Sequence, residues 1–280
     1  AVLSPVYGAF DTSASDAQRQ IIAIPMKRSD DNRYTVDYET FETAITKHDV
    51  KLFILCNPHN PVGHVWTETE MDRLFNICKQ HNVLIISDEI HQDLITGSTP
   101  FTSALTVASG AYADNIIAMS SLSKSFNMAS LHHAEVIIPN EKLRGQFNFY
   151  KAHVYHTDSD VIAETTITAA YTHPEAEAWL TDVLSVIREN YEYLCRELCT
   201  ALPQIRISPM DGTYLAWIDF GAYVKAEDMH DLFENKCRIA PSFGEWFGGE
   251  NYATFVRLNL ATSLENIKTA THNIIKYVRP

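Results

Sequence analysis

The chain has 280 residues, 46% of them apolar and 20% charged, a globular composition that excludes disorder and fibres. Twenty-two basic against 35 acidic side chains leave a net charge of −13, which repels nucleic-acid phosphates and acidic membranes alike. No apolar run approaches the roughly 20 residues of a membrane span. The first ten residues lack the basic-then-apolar order of a signal peptide, and the five cysteines contain no CxxC pair, so reduced thiols in a soluble, cytoplasmic protein are expected.

In chain order, apolar runs alternate with amphipathic stretches. Strands are expected at IIAIPMK (21–27), KLFILCNP (51–58) and VLIISDEI (83–90), with helices over FETAITKHDV and TETEMDRLF between them. LFILC and VLIIS are apolar at consecutive positions, as in parallel strands covered by helices on both faces. Thr67, with Glu70 three residues on, forms a capping box that starts its helix. Further strands are expected at 115–121 and 134–139. After Pro139 the pattern turns helical through EKLRGQFNFYKAHV, DVIAETTITAAY and the stretch from Glu175 to about Leu202. IRISPMDGTYLAWIDF reads as two strands about a Pro-Met-Asp-Gly turn, YATFVRLNLA as a third, and SLENIKTATHNIIKYV as a closing helix. The expected fold class is α/β: a large domain with a mostly parallel sheet over 1–160, then bridging helices and a smaller α+β domain over 161–280.

Three polar segments follow buried strands. Asn57-Pro58-His59-Asn60-Pro61-Val62-Gly63 follows LFILC, Ser87-Asp88-Glu89-Ile90-His91 ends VLIIS, and Ser120-Ser121-Leu122-Ser123-Lys124-Ser125-Phe126-Asn127 follows NIIAM. Open α/β sheets bind ligands at such strand ends. Asp88 reads either as a helix cap or as a carboxylate holding a heterocyclic nitrogen protonated, and His91 either as structural or as its neighbour in the site. A lysine among small hydroxyls after an apolar strand is placed to act as an amine nucleophile. Ser121 and Lys124 also match an SxxK pattern, but no KTG or SDN accompanies it.

PVYxxF, CNPHNPVGxxW, SDEIHxDL and SLSKSFN, in that order, resemble the pyridoxal-phosphate-dependent class I/II aminotransferase superfamily of fold type I. Within it they resemble the MalY/PatB group of carbon–sulfur β-lyases. GTYLAWIDF, FGEWFGG and FVRLNLA extend the resemblance over nearly the whole chain. It implies that Lys124 forms the Schiff base with pyridoxal 5′-phosphate and Asp88 pairs with the pyridine nitrogen. Asn60 would bond the ring's 3′ oxygen, with His91 near the same oxygen, while Tyr7 stacks on the ring and Ser121 or Ser123 contacts the phosphate. It further implies an amino-acid substrate, a homodimer, and β-elimination from cystathionine- or cysteine-type amino acids to thiol, pyruvate and ammonia. Aminotransfer, or a non-catalytic regulatory role on the same scaffold, are the alternatives.

Three departures stand beside this resemblance. Relatives have an N-terminal segment and a phosphate-binding glycine loop with no counterpart before Tyr7, so an N-terminally incomplete chain with weak cofactor retention is expected. Where many relatives complete an RxNxAxxR pattern with an Arg, Leu264 stands, and eight residues after Lys124 the residue is His132. Elsewhere, His153 and His156 with Asp158 and Asp160 are expected to be solvated rather than a metal site. Cys195 and Cys199 are expected to face the core, and the aromatic stretch from Phe243 to Gly249 either packs a loop or, as the resemblance implies, lines the substrate mouth.

Overall fold

The structure, a computed structural model, describes residues 1–155 and 160–278. It begins with β1 (Val2–Ser4), α1 (Ala9–Asp16), β2 (Ala23–Pro25) and a small hairpin of β3 (Lys27–Arg28) and β4 (Tyr34–Thr35). Next come α2 (Tyr38–Lys47), β5 (Leu52–Cys56), α3 (Glu68–Gln80), β6 (Leu84–Asp88) and β7 (Ile116–Ser120). The single turn α4 (Leu122–Ser125), β8 (Glu135–Ile137) and the helices α5 (Glu141–Tyr150), α6 (Val161–Thr172) and α7 (Pro174–Ala201) follow. The chain closes with β9 (Arg206–Ile207), β10 (Leu215–Asp219), β11 (Ser242–Phe243), α8 (Glu245–Gly248), β12 (Phe255–Asn259) and α9 (Leu264–Val278).

The first sheet has the order β2-β1-β5-β6-β7-β8, parallel throughout except for β8, which pairs antiparallel with β7. The expected α/β class and mostly parallel sheet are therefore present. Phe53 of β5 meets Phe41 of α2 edge to face at 5.0 Å, and both are fully buried with Ile45, Met71, Leu74 and Phe75. The capping box forms as expected: the Thr67 hydroxyl accepts from the Glu70 N–H at 3.3 Å, and the Glu70 carboxylate accepts from the Thr67 N–H at 2.9 Å. Strands β1 and β11 and the hairpin β3–β4 escape a sequence reading because two or three residues carry no periodicity.

The second sheet, β11-β12-β10-β9, is antiparallel. It encloses its own core with α7 and α9, where Leu194, Leu198, Ile218, Phe233, Val256 and Ile274 are buried. The two halves are not independent. Trp217 and Phe255 belong to the first core, and the Pro-Met-Asp-Gly turn docks on the loop after β5, where the Gly63 carbonyl accepts from Asp211 N at 3.0 Å and Gly212 N at 2.9 Å. A Cβ on Gly212 would lie 2.7 Å from the Pro58 side chain, and Gly63 has φ +73, so both sides of this contact need glycine.

One expectation changes. Cys195 is half-buried against the second core, but Cys199 is exposed. The buried stripe of α7 runs through Ile187, Asn190, Leu194 and Leu198, and each cysteine sits one step around the helix from it, so the later one emerges at the helix end. His153 is exposed and stacks on Phe149 at 4.6 Å, and Asp160 caps α6 through Ile162 N and Ala163 N. His156 and Asp158 lie outside the described residues. Among the described residues no helix is long and apolar enough to cross a membrane.

Asn190, fully buried on α7, donates to the Leu260 and Thr262 carbonyls at 2.9 and 2.8 Å and so pins the end of β12. Asn190→Ala strands both acceptors, and urea titration should show a loss of about 2 kcal/mol or more. A loss below about 0.5 kcal/mol would mean that water replaces the amide.

Candidate active site

β5, β6 and β7 end on one edge because they are parallel and in register: Cys56 pairs with Asp88, and Asp88 with Met119. All three polar segments therefore leave the sheet at the same crevice. β12 of the second sheet closes it, leaving a cavity of about 360 Å³ whose lining includes Tyr7, Asn60, Asp88, His91, Lys124 and Arg257.

Each of the first two segments divides its polar side chains between scaffold and cavity. Asn57 is fully buried; its Nδ2 donates to the Thr102 carbonyl at 3.1 Å and its Oδ1 accepts from the Trp66 N–H at 3.2 Å. His59 donates from Nε2 to the Pro5 carbonyl at 2.8 Å, and burial pushes its pKa down to about 4. Asn60, by contrast, lines the cavity. After β6, Glu89 turns into the core and accepts from Ser87 Oγ at 2.9 Å, Ser103 Oγ at 2.8 Å and Ala104 N at 2.8 Å. Asp88 faces the cavity with one hydrogen bond among the described residues, from the Ile90 N–H at 3.1 Å. Burial pushes its carboxyl above the usual range, against the pull of the Ile90 bond and of Lys124. His91 is 3% exposed and its Nδ1 has no partner among the described residues. Burial, then the positive charges of Lys124 and Arg257, hold its pKa down to about 3, so the ring is neutral at ordinary pH.

Lys124 is carried by α4 into the cavity. Ser121 caps that turn: its Oγ accepts from the Ser123 N–H at 3.1 Å and donates to the His133 carbonyl at 2.7 Å. Ser123 lines a neighbouring cavity of about 430 Å³ that shares Lys124, Tyr214 and Asn259 with the first. The structure thus gathers Tyr7, Asn60, Asp88, His91 and Lys124 in one cavity and leaves Ser121 and Ser123 off its lining. The physical reason is the one-turn helix, whose free N–H groups claim the Ser121 side chain. His132 is exposed, with φ 49, and also lies off the lining.

Arg257 is the residue that the sequence reading passed over. Leu264, at the end of the RLNLATSL stretch, sits in the first turn of α9 away from the cavity, whereas Arg257 reaches into it from the middle of β12. Its Nη1 donates to Asn60 Oδ1 at 2.8 Å, its Nη2 to Ser242 Oγ at 2.9 Å, and its guanidinium lies 4.7 Å above the Phe247 ring. Among the described residues no carboxylate pairs with it, and burial pulls its pKa below the ordinary value. A buried cation without an anion is costly, and an anionic ligand removes the cost. The available signal was an Arg in the centre of the apolar strand FVRLNL. Of the aromatic stretch, Phe247 supports this arginine and Phe243 stacks on His230 at 3.6 Å, while Trp246 stands exposed away from the cavity.

A mostly parallel α/β sheet with a lysine and a largely buried carboxylate at its strand ends, faced by an arginine of the second sheet, is the arrangement of a cofactor-dependent enzyme of the fold type I class. The chain belongs to the aminotransferase class I and II family, whose model matches residues 1–274. It is 33% identical to the cystathionine beta-lyase PatB of Bacillus subtilis, over 98% of this chain and 70% of that protein. It is 29% identical to protein MalY of Escherichia coli, over 99% of this chain and 69% of that one. Cystalysin of Treponema denticola, whose crystal structure contains pyridoxal 5′-phosphate, superposes with a TM-score of 0.93 at 27% identity, covering 99% of this chain and 69% of its own.

His59 gives a pH test. An unfolded imidazole protonates near pH 6.5, so below that the unfolded chain binds a proton that buried His59 refuses down to about pH 4. Stability therefore falls as pH drops through this window, by about 2 kcal/mol at pH 5. His59→Asn should lessen the pH 7 to 5 loss of stability, read from urea titration, by about 2 kcal/mol, leaving the share that buried His91 contributes with the same sign. Parallel curves for the two proteins would assign the loss to other groups.

Proposed function

We propose that the chain is a pyridoxal-phosphate-dependent carbon–sulfur β-lyase, releasing thiol, pyruvate and ammonia from cystathionine- or cysteine-type amino acids. The observation that carries this is the largely buried Arg257 guanidinium, with no carboxylate partner among the described residues, in the same cavity as the Lys124 amine and the Asp88 carboxylate. An amino acid brings the carboxylate that Arg257 lacks. The likeness to PatB and to cystalysin supports the choice of reaction.

The side chains suit the cofactor's ring. Asp88, its charge penalised by burial, is relieved by a protonated ring nitrogen, and Asn60 and the unpartnered His91 Nδ1 are the neutral groups for the ring oxygen. Tyr7 supplies an aromatic face, and Lys124 the amine that joins the aldehyde. Bound there, pyridoxal phosphate supplies the electron sink for a negative charge on the substrate α-carbon. Arg257 has three of its five N–H donors left for the substrate carboxylate after Asn60 and Ser242 take one each. Lys124 would take the α-proton at Nζ and hand it to the thiolate that departs from the β-carbon, and water would convert the remaining three-carbon enamine to pyruvate and ammonia. His91 stays neutral through this step, because Lys124 and Arg257 disfavour a third positive charge beside them.

In this reading residues 1–160 form the unit that holds the cofactor, and 161–280 the one that brings Arg257. The reading also includes a homodimer in the cytoplasm. Phe147, Phe149, Tyr150 and Val154, and separately Val161 and Ile162, are exposed apolar side chains that a second copy would cover, and all five thiols are free.

Borohydride reduction of the protein with cofactor should place the pyridoxyl label on Lys124; a label confined to another lysine overturns the assignment. Arg257→Ala should raise KM about tenfold or more while cofactor absorbance is kept. Asp88→Asn should slow α-proton exchange by about a hundredfold or more in a folded protein. Pyruvate formed from cystathionine with no added keto acid is the expected product. Turnover that requires a keto acid and yields no pyruvate would make the chain an aminotransferase.

A further inference from the structure

α4 is a single turn of four residues, too short to hold its own shape, so the direction of Lys124 depends on what grips its two ends. The first end is held by the Ser121 cap and the buried Leu122. At the other end Ser125, 2% exposed, donates its hydroxyl to Asp93 Oδ2 at 2.7 Å. The same oxygen accepts from the Tyr171 hydroxyl of α6 at 2.9 Å. Burial and then Asp93 push the Tyr171 hydroxyl above its ordinary range, so it remains a donor. Phe126, next along the chain, is packed between Tyr171 at 5.6 Å and Trp179 of α7 at 5.8 Å. Asn127 then turns the chain away at φ 55. One carboxylate oxygen, on the segment that follows β6, thus ties together the lysine helix and α6.

We propose that Asp93 is a positioning residue for Lys124: by accepting the Ser125 hydroxyl it fixes the C-terminal end of α4, and with it the direction from which the amine enters the cavity. This rests on Lys124 being the lysine that joins the cofactor. Asp93 itself does not line either cavity that Lys124 borders, so its influence passes through Ser125. Gln92, its neighbour, donates to Ser120 Oγ at 2.8 Å, so the segment after β6 grips the lysine loop at two points.

The test measures the amine and needs no turnover. Cofactor-free protein is treated with pyridoxal and borohydride over time, and labelling of Lys124 is followed by peptide mapping, with the exposed Lys225 as internal reference. Asp93→Ala should slow Lys124 labelling about tenfold or more, since small misplacements of a reacting group have large effects. Asp93→Asn keeps an acceptor and should fall between the two. The Asp93→Ala/Ser125→Ala pair should be no slower than the slower single variant, as expected if one acts through the other. Circular dichroism checks folding, and if Asp93→Ala does not fold, Asp93→Asn and Ser125→Ala carry the comparison. Unchanged Lys124 labelling in the folded variants, or additive losses in the pair, overturns the positioning role. Labelling of the native protein at a lysine other than Lys124 overturns the functional assignment instead.

Discussion

Parallel pairing in register is the constraint on which the rest depends. Parallel strands cannot be joined by tight hairpins, so the connections between β1, β2, β5, β6 and β7 cross over the sheet and these five strands end on the same edge, β8 alone running the other way. Cys56, Asp88 and Met119 share one level across β5, β6 and β7, and the chain beyond each runs into the same crevice. Asn60, Asp88 and Lys124, at sequence distances that give no hint of contact, become neighbours through this geometry alone.

The second sheet matters because it delivers one charge. Gly63 and Gly212 let the turn after β9 lie directly on the loop after β5, and that docking sets β12 opposite the strand ends. Arg257 then reaches Asn60, and a hydrogen bond of 2.8 Å joins residues 197 apart in sequence. The cavity consequently holds two cationic side chains and one carboxylate whose ionisation burial opposes. An unbalanced set of this kind is unfavourable by itself and becomes favourable with a ligand that carries both a cation and an anion.

Nearby residues of like chemistry have separate duties here. Asn57 satisfies a buried carbonyl and an N–H, while Asn60 serves the cavity. Glu89 collects three donors in the core, while Asp88 is left with one. Along the extended chain at the end of β6, successive side chains point to opposite sides, so Glu89 is drawn into scaffold and Asp88 is free for ligand. Ser121 caps α4 and Ser123 lines the neighbouring cavity, so neither lines the cavity that Asp88 faces.

The sequence by itself determined the buried strands, the helices between them and the capping box, because these rest on local periodicity and on contacts within four residues. It also marked Asp88 and Lys124 as unusual, since charged groups at the ends of apolar strands need a reason. Tertiary structure alone decided the antiparallel direction of β8, the short strands β1 and β11, and which member of each polar pair faces the cavity. It also decided the role of Arg257. That residue lies in an apolar strand whose pattern says only that it is half-buried, and whether the charge meets a carboxylate, solvent or a cavity depends on what the other sheet places opposite it. Local pattern records the environment of a residue along its own element; long-range packing, set by the register of one sheet and the docking of the other, decides what that residue faces.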